Sequence, residues 1–248
     1  MEYISKLKYF CSLNLSSNIN KQLKNCINII NDLSNHKLPN IKLSKLGIKI
    51  EDFSNLLIHS GDSTIYNKLL ECDSLLRNFR WYIEKKFGIW SYINKSFIRE
   101  WVKQFPSLNY LEVMAGNGII SKSLSDYDQQ VICTDDLSWS SVSTTGHIPW
   151  TNVEKLDALD AIKKYSSHFD ALIMSWSPYG NQIDWEILQL LRTMSPQPIL
   201  FCIGEKYGAT NSNSFWKYAK FIDDYKLINV NNCYSHFDFI NDYLYLIK

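Results

Sequence analysis

Residues 110–118 read Tyr-Leu-Glu-Val-Met-Ala-Gly-Asn-Gly, an apolar run that ends in two glycines. A segment typical of a helix follows at residues 119–124. Glycines let the backbone approach a ligand closely, and the first N–H groups of a new helix face a polar or anionic group. Because Gly-x-Gly occurs in many turns, the weight of this stretch comes from the strand ends that follow it.

Short apolar runs separated by helical segments continue through the rest of the chain. Candidate strands lie at residues 110–115, 130–134, 152–155, 169–174 and 198–203, with helices at 185–193 and 214–224. The last two apolar runs, 225–230 and 242–247, are expected to pair as an antiparallel hairpin. This alternation predicts an α/β fold in which a mostly parallel sheet is covered by helices on both faces. Ligands of such sheets bind at the carboxyl ends of the strands, where the polar clusters of this chain fall.

The N-terminal part of the chain has a different pattern. Apolar residues recur at helical spacing over residues 19–33 and again over residues 65–87, where Gly88 ends the stripe. We expect an N-terminal helical region at residues 1–90 and a ligand-binding domain at residues 91–248. The stripes are typical of a core, and the helices are also a candidate contact between copies in a homo-oligomer.

The composition favours a soluble globular protein, with 46% hydrophobic and 21% charged residues. No apolar run approaches the ~20 residues that span a bilayer, and the first residues lack the apolar core of a secretion signal. The six cysteines are scattered without a Cys-x-x-Cys pair, which favours reduced thiols in a cytoplasmic protein and no metal site.

The charge is unevenly distributed, since residues 1–105 carry 16 Lys/Arg against 9 Asp/Glu and residues 106–248 carry 10 against 16. A basic face for nucleic acid is one interpretation. Solvated lysines on helix faces are the other, and we favour it because no dense basic cluster is present.

The glycine stretch resembles that of the class I S-adenosylmethionine-dependent methyltransferases, and the resemblance covers roughly residues 91–248. Their first strand ends in an acidic-x-Gly-x-Gly-x-Gly loop. Here Glu112, Met114, Gly116 and Gly118 take those positions, so Met114 replaces the first glycine, and Ile120 takes the position of a further small residue. The resemblance implies a Rossmann-like methyltransferase fold with a seven-stranded sheet and S-adenosylmethionine as cofactor.

The family's roles fall on residues of this chain that match its motifs. Glu112 would lie near the methionine moiety, and the loop formed by Ala115, Gly116, Asn117 and Gly118 would pass under the cofactor. Asp135, 23 positions after Glu112, takes the place of the acid that accepts both ribose hydroxyls, with Asp136 as the competing candidate. Asp157, followed by Ala158, matches the residue that receives the adenine amino group, although Asp157 also suits the N-cap of a helix.

The fourth strand ends in Ser175-Trp176-Ser177-Pro178-Tyr179, which resembles the Asn/Asp/Ser-Pro-Pro-Tyr/Phe motif of amino-methyltransferases. Pro178-Tyr179 matches, while Trp176 stands at the polar position. Residues 174–179 and 203–205 also resemble uncharacterised methyltransferase-like proteins with Met-Ser-Trp-x-Pro-Tyr and Ile-Gly-Glu. Candidate catalytic residues are Ser175, Tyr179 and Glu205, the last as a general base after the fifth strand, and Trp176 is added to the cofactor site.

These patterns favour an S-adenosylmethionine-dependent methyltransferase with an unidentified acceptor. A small molecule is slightly ahead of nucleic acid or protein as the acceptor because the net charge is only +1. One alternative is a Rossmann-type nicotinamide enzyme, which the missing third glycine weakens. The other is a catalytically degenerate methyltransferase fold that serves as a nucleic-acid-binding or scaffold protein, an idea raised by Met114 and the basic N-terminal half.

Overall fold

A computed structural model describes residues 2–248. Within these residues, six helices precede the first strand: α1 (Tyr3–Ser12), α2 (Ser17–Ser34), α3 (Ile50–His59), α4 (Ile65–Arg77), α5 (Phe79–Phe87) and α6 (Lys95–Gln104). Helix α2 begins where the Ser16 side chain accepts a hydrogen bond from the Ile19 N–H, and α5 ends at Gly88 in the left-handed conformation. None of these helices, nor any other helix in residues 2–248, is long and apolar enough to cross a bilayer.

The strands form a sheet of β1 (Asn109–Val113), β2 (Gln130–Asp135), β3 (Glu154–Lys155), β4 (Ala171–Ser175), β5 (Ile199–Gly204) and β6 (Tyr243–Ile247). Their order is β3-β2-β1-β4-β5-β6, and every pair is parallel except β5 with β6. The intervening helices are α7 (Ile119–Ser125), α8 (Ala158–Lys164), α9 (Ile183–Thr193), α10 (Asn213–Tyr218) and α11 (Tyr225–Asn231). The chain is therefore α/β and Rossmann-like, with the carboxyl ends of β1, β2 and β4 adjacent.

The described residues form six strands rather than the predicted seven, and the last strand is antiparallel as expected but pairs with β5 rather than with residues 225–230. The run at 225–230 lies in helix α11, whose N-cap Asp224 accepts a hydrogen bond from the Lys226 N–H. The Asn231 amide then exchanges two hydrogen bonds with the backbone of Leu244. Residue 231 of α11 therefore contacts one edge of β6, while the other edge of β6 pairs antiparallel with β5.

The predicted helix at residues 214–224 is shorter than expected. Helix α10 ends at Tyr218, and Phe221 forms an antiparallel bridge with Ile247. The chain thus returns to the sheet edge earlier than the apolar pattern suggested.

Apolar layers cover both faces of the sheet. The N-terminal helices and α11 share one core with residues of one face, where Trp101 of α6 stacks on Phe201 of β5 with ring centroids 5.1 Å apart. Helices α8, α9 and α10 cover the other face, represented by Leu111, Leu172 and Leu200. The strands are buried on both sides, which explains their nearly continuous apolar sequences.

Candidate functional site

A cavity of about 490 Å³ opens at the carboxyl ends of the strands. Its lining combines the loops after β1, β2, β3 and β4 with residues from three more distant segments. The lining residues are Trp90, Met114, Gly116, Asp135, Asp136, Ser138, Trp139, Thr145, Asp157, Ala158, Ser175, Trp176, Ser177, Pro178, Tyr179, Asn181, Ile183, Glu186, Ala209 and Thr210. The size falls within the range typical of small-molecule sites.

In the loop after β1, every second residue from Met114 to Gly118 has a positive φ. Met114, Gly116 and Gly118 have φ of 52°, 59° and 71°, so all three positions of the glycine motif are left-handed. A Cβ on Gly116 would meet only the Thr145 methyl, at 3.9 Å, whereas one on Gly118 would press on Cys133 and Thr151 at 3.0 Å. Gly116 therefore leaves open space beside the cavity, and Gly118 allows close packing.

Met114 has a left-handed backbone, the conformation that favours glycine, and it lines the cavity. A left-handed conformation costs a residue with a Cβ roughly 1–2 kcal/mol. The structure therefore places a thioether side chain, at some cost in strain, at the position where the family motif has no side chain.

Glu112 lies beneath this loop and outside the main cavity. The Ser121 N–H donates to Glu112 Oε2 at 2.9 Å, and the Ser121 hydroxyl donates to the same oxygen. Burial raises the pKa of Glu112 to about 7, because the two Ser121 hydrogen bonds only partly offset the desolvation of the carboxylate and Asp135 adds a smaller like-charge effect. Glu112 lines a separate cavity of about 40 Å³, together with Ala115 and Asn117.

Asn117 is committed to backbone groups. Its amide nitrogen donates to the carbonyl oxygens of Phe87 and Thr144, and its amide oxygen accepts from the N–H of Gly146 at 2.7 Å. These bonds join the end of α5 to the segment between β2 and β3. Asn117, which the sequence placed in the cofactor site, and Gly118 do not line the main cavity.

The two acids after β2 have different surroundings. Asp135 is buried and accepts from the N–H of Gly116 at 2.8 Å and of Leu137, so it ties the two loops together. Burial raises the pKa of Asp135, and the two hydrogen bonds, which lower the pKa, offset only part of that effect. Asp136 is exposed, and Oδ1 accepts only from the Ser138 N–H. Both line the cavity, and Asp136 has the carboxylate better able to accept hydrogen bonds from a ligand.

Asp157 caps α8, as its sequence predicted. Its Oδ1 accepts from the N–H of Leu159 at 2.9 Å and of Asp160 at 3.4 Å. Asp157 and Ala158 also line the cavity, so the residue that caps α8 lies at the site.

The segment after β4 forms another wall of the cavity. Trp176 has φ of 56°, and its ring nitrogen donates to Asp242 Oδ2 at 2.8 Å. Ser177 is only 1% exposed, and its hydroxyl has no hydrogen-bond partner among the described residues. Tyr179 is exposed, and both it and Ser175 line the cavity.

Glu205 does not line the cavity. Its two carboxylate oxygens accept from the N–H of Ala209 at 2.7 Å and of Asn241 at 2.8 Å. Glu205 therefore connects two loops and does not border the space where a ligand would bind.

Several lining residues were missed by the sequence reasoning. Trp90 follows α5, Trp139 and Thr145 lie between β2 and β3, and Glu186 belongs to the first turn of α9. Glu186 lies in the first turn of the helix that follows β4, and this position near a strand end could have identified it from the sequence. Trp90 lies far upstream of the sheet and reaches it only through tertiary packing.

The site suits a nucleoside-containing cofactor better than a metal. No cluster of three or more His, Cys, Asp or Glu side chains able to hold a metal occurs in residues 2–248. In contrast, exposed carboxylates follow β2 and β3, open space faces Gly116, and the buried hydroxyls of Ser177 and Thr145 lack partners in the described chain. These features fit S-adenosylmethionine, whose ribose hydroxyls and adenine amino group donate hydrogen bonds.

No family model matches the chain, and no curated protein matches its sequence. Among solved structures it is similar to a crystal structure of a point mutant of MtNAS in complex with S-adenosylmethionine. That likeness covers 100% of this chain and 98% of the other, at 12% identity and a TM-score of 0.38. A likeness at this level carries no argument about ligand or activity.

Proposed function

We propose that the chain is an S-adenosylmethionine-dependent methyltransferase that acts on a small-molecule acceptor. One observation carries the proposal: a single cavity gathers the ends of four neighbouring parallel strands, with Gly116, Asp136, Asp157 and Tyr179 on its walls. Ligands of doubly wound sheets bind at this edge. The same four strand ends carry the resemblance of the sequence to the methyltransferases.

The proposed roles follow from the contacts of each group. Asp136 accepts the ribose hydroxyls, while Asp135 holds the Gly116 N–H and so fixes the loop that passes under the cofactor. Asp157 receives the adenine amino group at the N-terminus of α8. Glu112 acts indirectly, by holding Ser121 and the start of α7 behind that loop.

S-adenosylmethionine supplies an activated methyl group, so the protein has mainly to orient the acceptor and exclude water. Trp90, Trp176 and Pro178 provide apolar walls near the end of β4, and the Ser177 hydroxyl is a buried group able to orient an acceptor. Ser175 and Tyr179 are the remaining candidates to contact the reacting atoms. Glu205 is omitted because its oxygens hold backbone N–H groups.

The cavity supports a small molecule over nucleic acid. Among its described lining residues none is Lys, Arg or His, whereas proteins that bind nucleic acid neutralise phosphates with basic side chains. The basic surplus of residues 1–105 belongs to helices on one side of the sheet, and several of their lysines pair locally, as Lys6 does with Glu71.

Transfer of a labelled methyl group tests this proposal. The purified chain is incubated with methyl-labelled S-adenosylmethionine and separate pools of small amines, nucleic acid and protein, and the label in each pool is counted. We expect label in the small-molecule pool and at least about a tenfold loss with Asp136→Ala. Label confined to nucleic acid or protein, or no transfer by a chain that binds the cofactor, would contradict it.

A further inference from the structure

The cavity has a chemical property to which the proposed cofactor roles assign no ligand, namely a corner formed by two tryptophan rings. Trp90 and Trp139 both line the cavity, with ring centroids 6.0 Å apart and planes at 74°. Trp176 continues the aromatic wall, with its centroid 6.3 Å from that of Trp90. The rings of Trp90 and Trp139 therefore meet at one corner of the cavity.

Aromatic faces attract cations, and cages of such rings recognise quaternary ammonium groups. One face of Trp176 is already taken by Arg80, whose guanidinium carbon lies 4.8 Å from the ring centroid and whose charge is paired with Asp238. Trp90 and Trp139 are therefore the rings with which a cationic ligand would interact.

The charged side chains that line the cavity also favour a cationic ligand. The ionisable side chains of the described lining residues, apart from Tyr179, are Asp135, Asp136, Asp157 and Glu186, all of them acids. Asp136, Asp157 and Glu186 are exposed, so at neutral pH they give the cavity a negative potential that attracts a cation and repels a phosphate or carboxylate.

A third observation points to a ligand that is polar as well as charged. Ser177 and Thr145 are lining residues of the cavity, and their hydroxyls lie buried just behind its surface with no hydrogen-bond partner in the described chain. Ser177 is 1% exposed and Thr145 is 4% exposed. A buried hydroxyl without a partner leaves its desolvation uncompensated, and a polar group of a ligand that reached it would supply the missing hydrogen bond.

From these features we propose that the acceptor is a small organic cation, a molecule that carries an ammonium or similar positive group which binds at the Trp90–Trp139 corner. The inference rests on the proposed function, because it assigns the chemical class of the second ligand of the same cavity. The positive group is the one bound by the rings and need not be the atom that receives the methyl group.

The experiment saturates the protein with S-adenosylhomocysteine, which lacks the sulfonium charge, and then titrates matched probes by calorimetry. Choline is compared with its neutral isostere, in which a tert-butyl group replaces the trimethylammonium group. Phenethylamine is compared with phenylpropionate, which exchanges an ammonium for a carboxylate. We expect each cation to bind at least about tenfold more tightly than its partner.

The variants locate the site. Trp139→Leu should remove most of the preference for choline, and Trp139→Phe should keep most of it, because phenylalanine retains a π face. Trp81→Leu is the matched control, since Trp81 is 56% exposed, and it should change nothing because it lies outside the cavity. Equal binding within each pair, or tighter binding of phenylpropionate or of an oligothymidylate, would overturn the inference. Absence of heat with S-adenosylhomocysteine would be a separate signal against the proposed function.

Discussion

Glu112 combines a buried carboxyl group with a structural task in the loop after β1. Its pKa is about 7 in the folded chain and near 4.5 when the chain is unfolded. Below pH 4.5 the group is protonated in both states. Between about pH 4.5 and 7 only the unfolded chain loses the proton, so the stability that this group contributes falls as the pH rises through that window.

Comparison with Glu112→Gln, which cannot titrate, isolates this effect. We expect the free energy of unfolding of the natural chain to fall relative to the variant by about 1.4 kcal/mol per pH unit over that window. Urea denaturation of both proteins at several pH values measures it. Titrating groups that do not interact with Glu112 behave alike in both proteins, so their contributions cancel in the comparison. Parallel pH profiles would show that the carboxyl titrates normally.

Met114 is strained in the left-handed region, and a pair of substitutions separates strain from bulk. Met114→Ala removes the side chain from the cavity but keeps a Cβ at positive φ, whereas Met114→Gly also relieves the strain. We expect the glycine variant to be more stable to urea than the alanine variant by about 1 kcal/mol. The opposite order would mean that the backbone relaxes out of this conformation without its side chain.

At the scale of elements, a buried ionic network joins α5, the end of β4 and the start of β6. Arg80 of α5 donates to both oxygens of Asp238, and its Nη2 lies 3.7 Å from Asp242 Oδ1. Asp242 Oδ2 accepts from Trp176 and from the Tyr234 hydroxyl, each at 2.8 Å. The network thus holds the indole that forms one wall of the cavity.

Removing Asp242 should weaken all three connections at once. We expect Asp242→Ala to lower the free energy of unfolding by about 3–5 kcal/mol, because Arg80 loses a neighbouring charge in a buried site and two donors lose their acceptor. Glu71→Ala removes an exposed partner of Lys6 and should cost less than about 1 kcal/mol. Urea denaturation measures both, and equal losses would contradict a structural role for the network.

The elements also show how far the sequence could be read. Strands β1, β2, β4 and β5 begin and end within two residues of the predicted runs, because strands buried on both faces have an apolar signal that local periodicity carries. The strand predicted at 225–230 was wrong, since a six-residue apolar segment suits a strand or a buried helix equally, and here Asp224 caps a helix.

The site, like the strands, could be predicted only in part from the sequence. Acids and small residues directly after strands were identified, and Gly116, Asp136, Asp157 and Tyr179 do line one cavity. Trp90 and Trp139 were missed because they reach the cavity from segments without a strand-end signal. Glu205 follows a strand and Asn117 lies in the glycine motif, but both side chains bind backbone groups of neighbouring loops. The sequence does not show where those loops lie.

At the scale of the whole molecule, one apolar core runs from Leu7 of α1 to Leu246 of β6. The division into residues 1–90 and 91–248 stays a prediction. The N-terminal helices pack on the sheet, and Trp90, which follows α5, lies at the cavity. The first part of the chain therefore contributes a wall of the site that the sheet alone would leave open.

The central claim is that this cavity binds S-adenosylmethionine, and calorimetric titration with S-adenosylhomocysteine tests it most directly. We predict saturable one-to-one binding with a dissociation constant below about 1 mM, weakened at least about tenfold by Asp136→Ala. Asp126→Ala, at an exposed aspartate paired with Lys122 outside the cavity, should leave the affinity unchanged. Absence of saturable heat at millimolar ligand would contradict the claim.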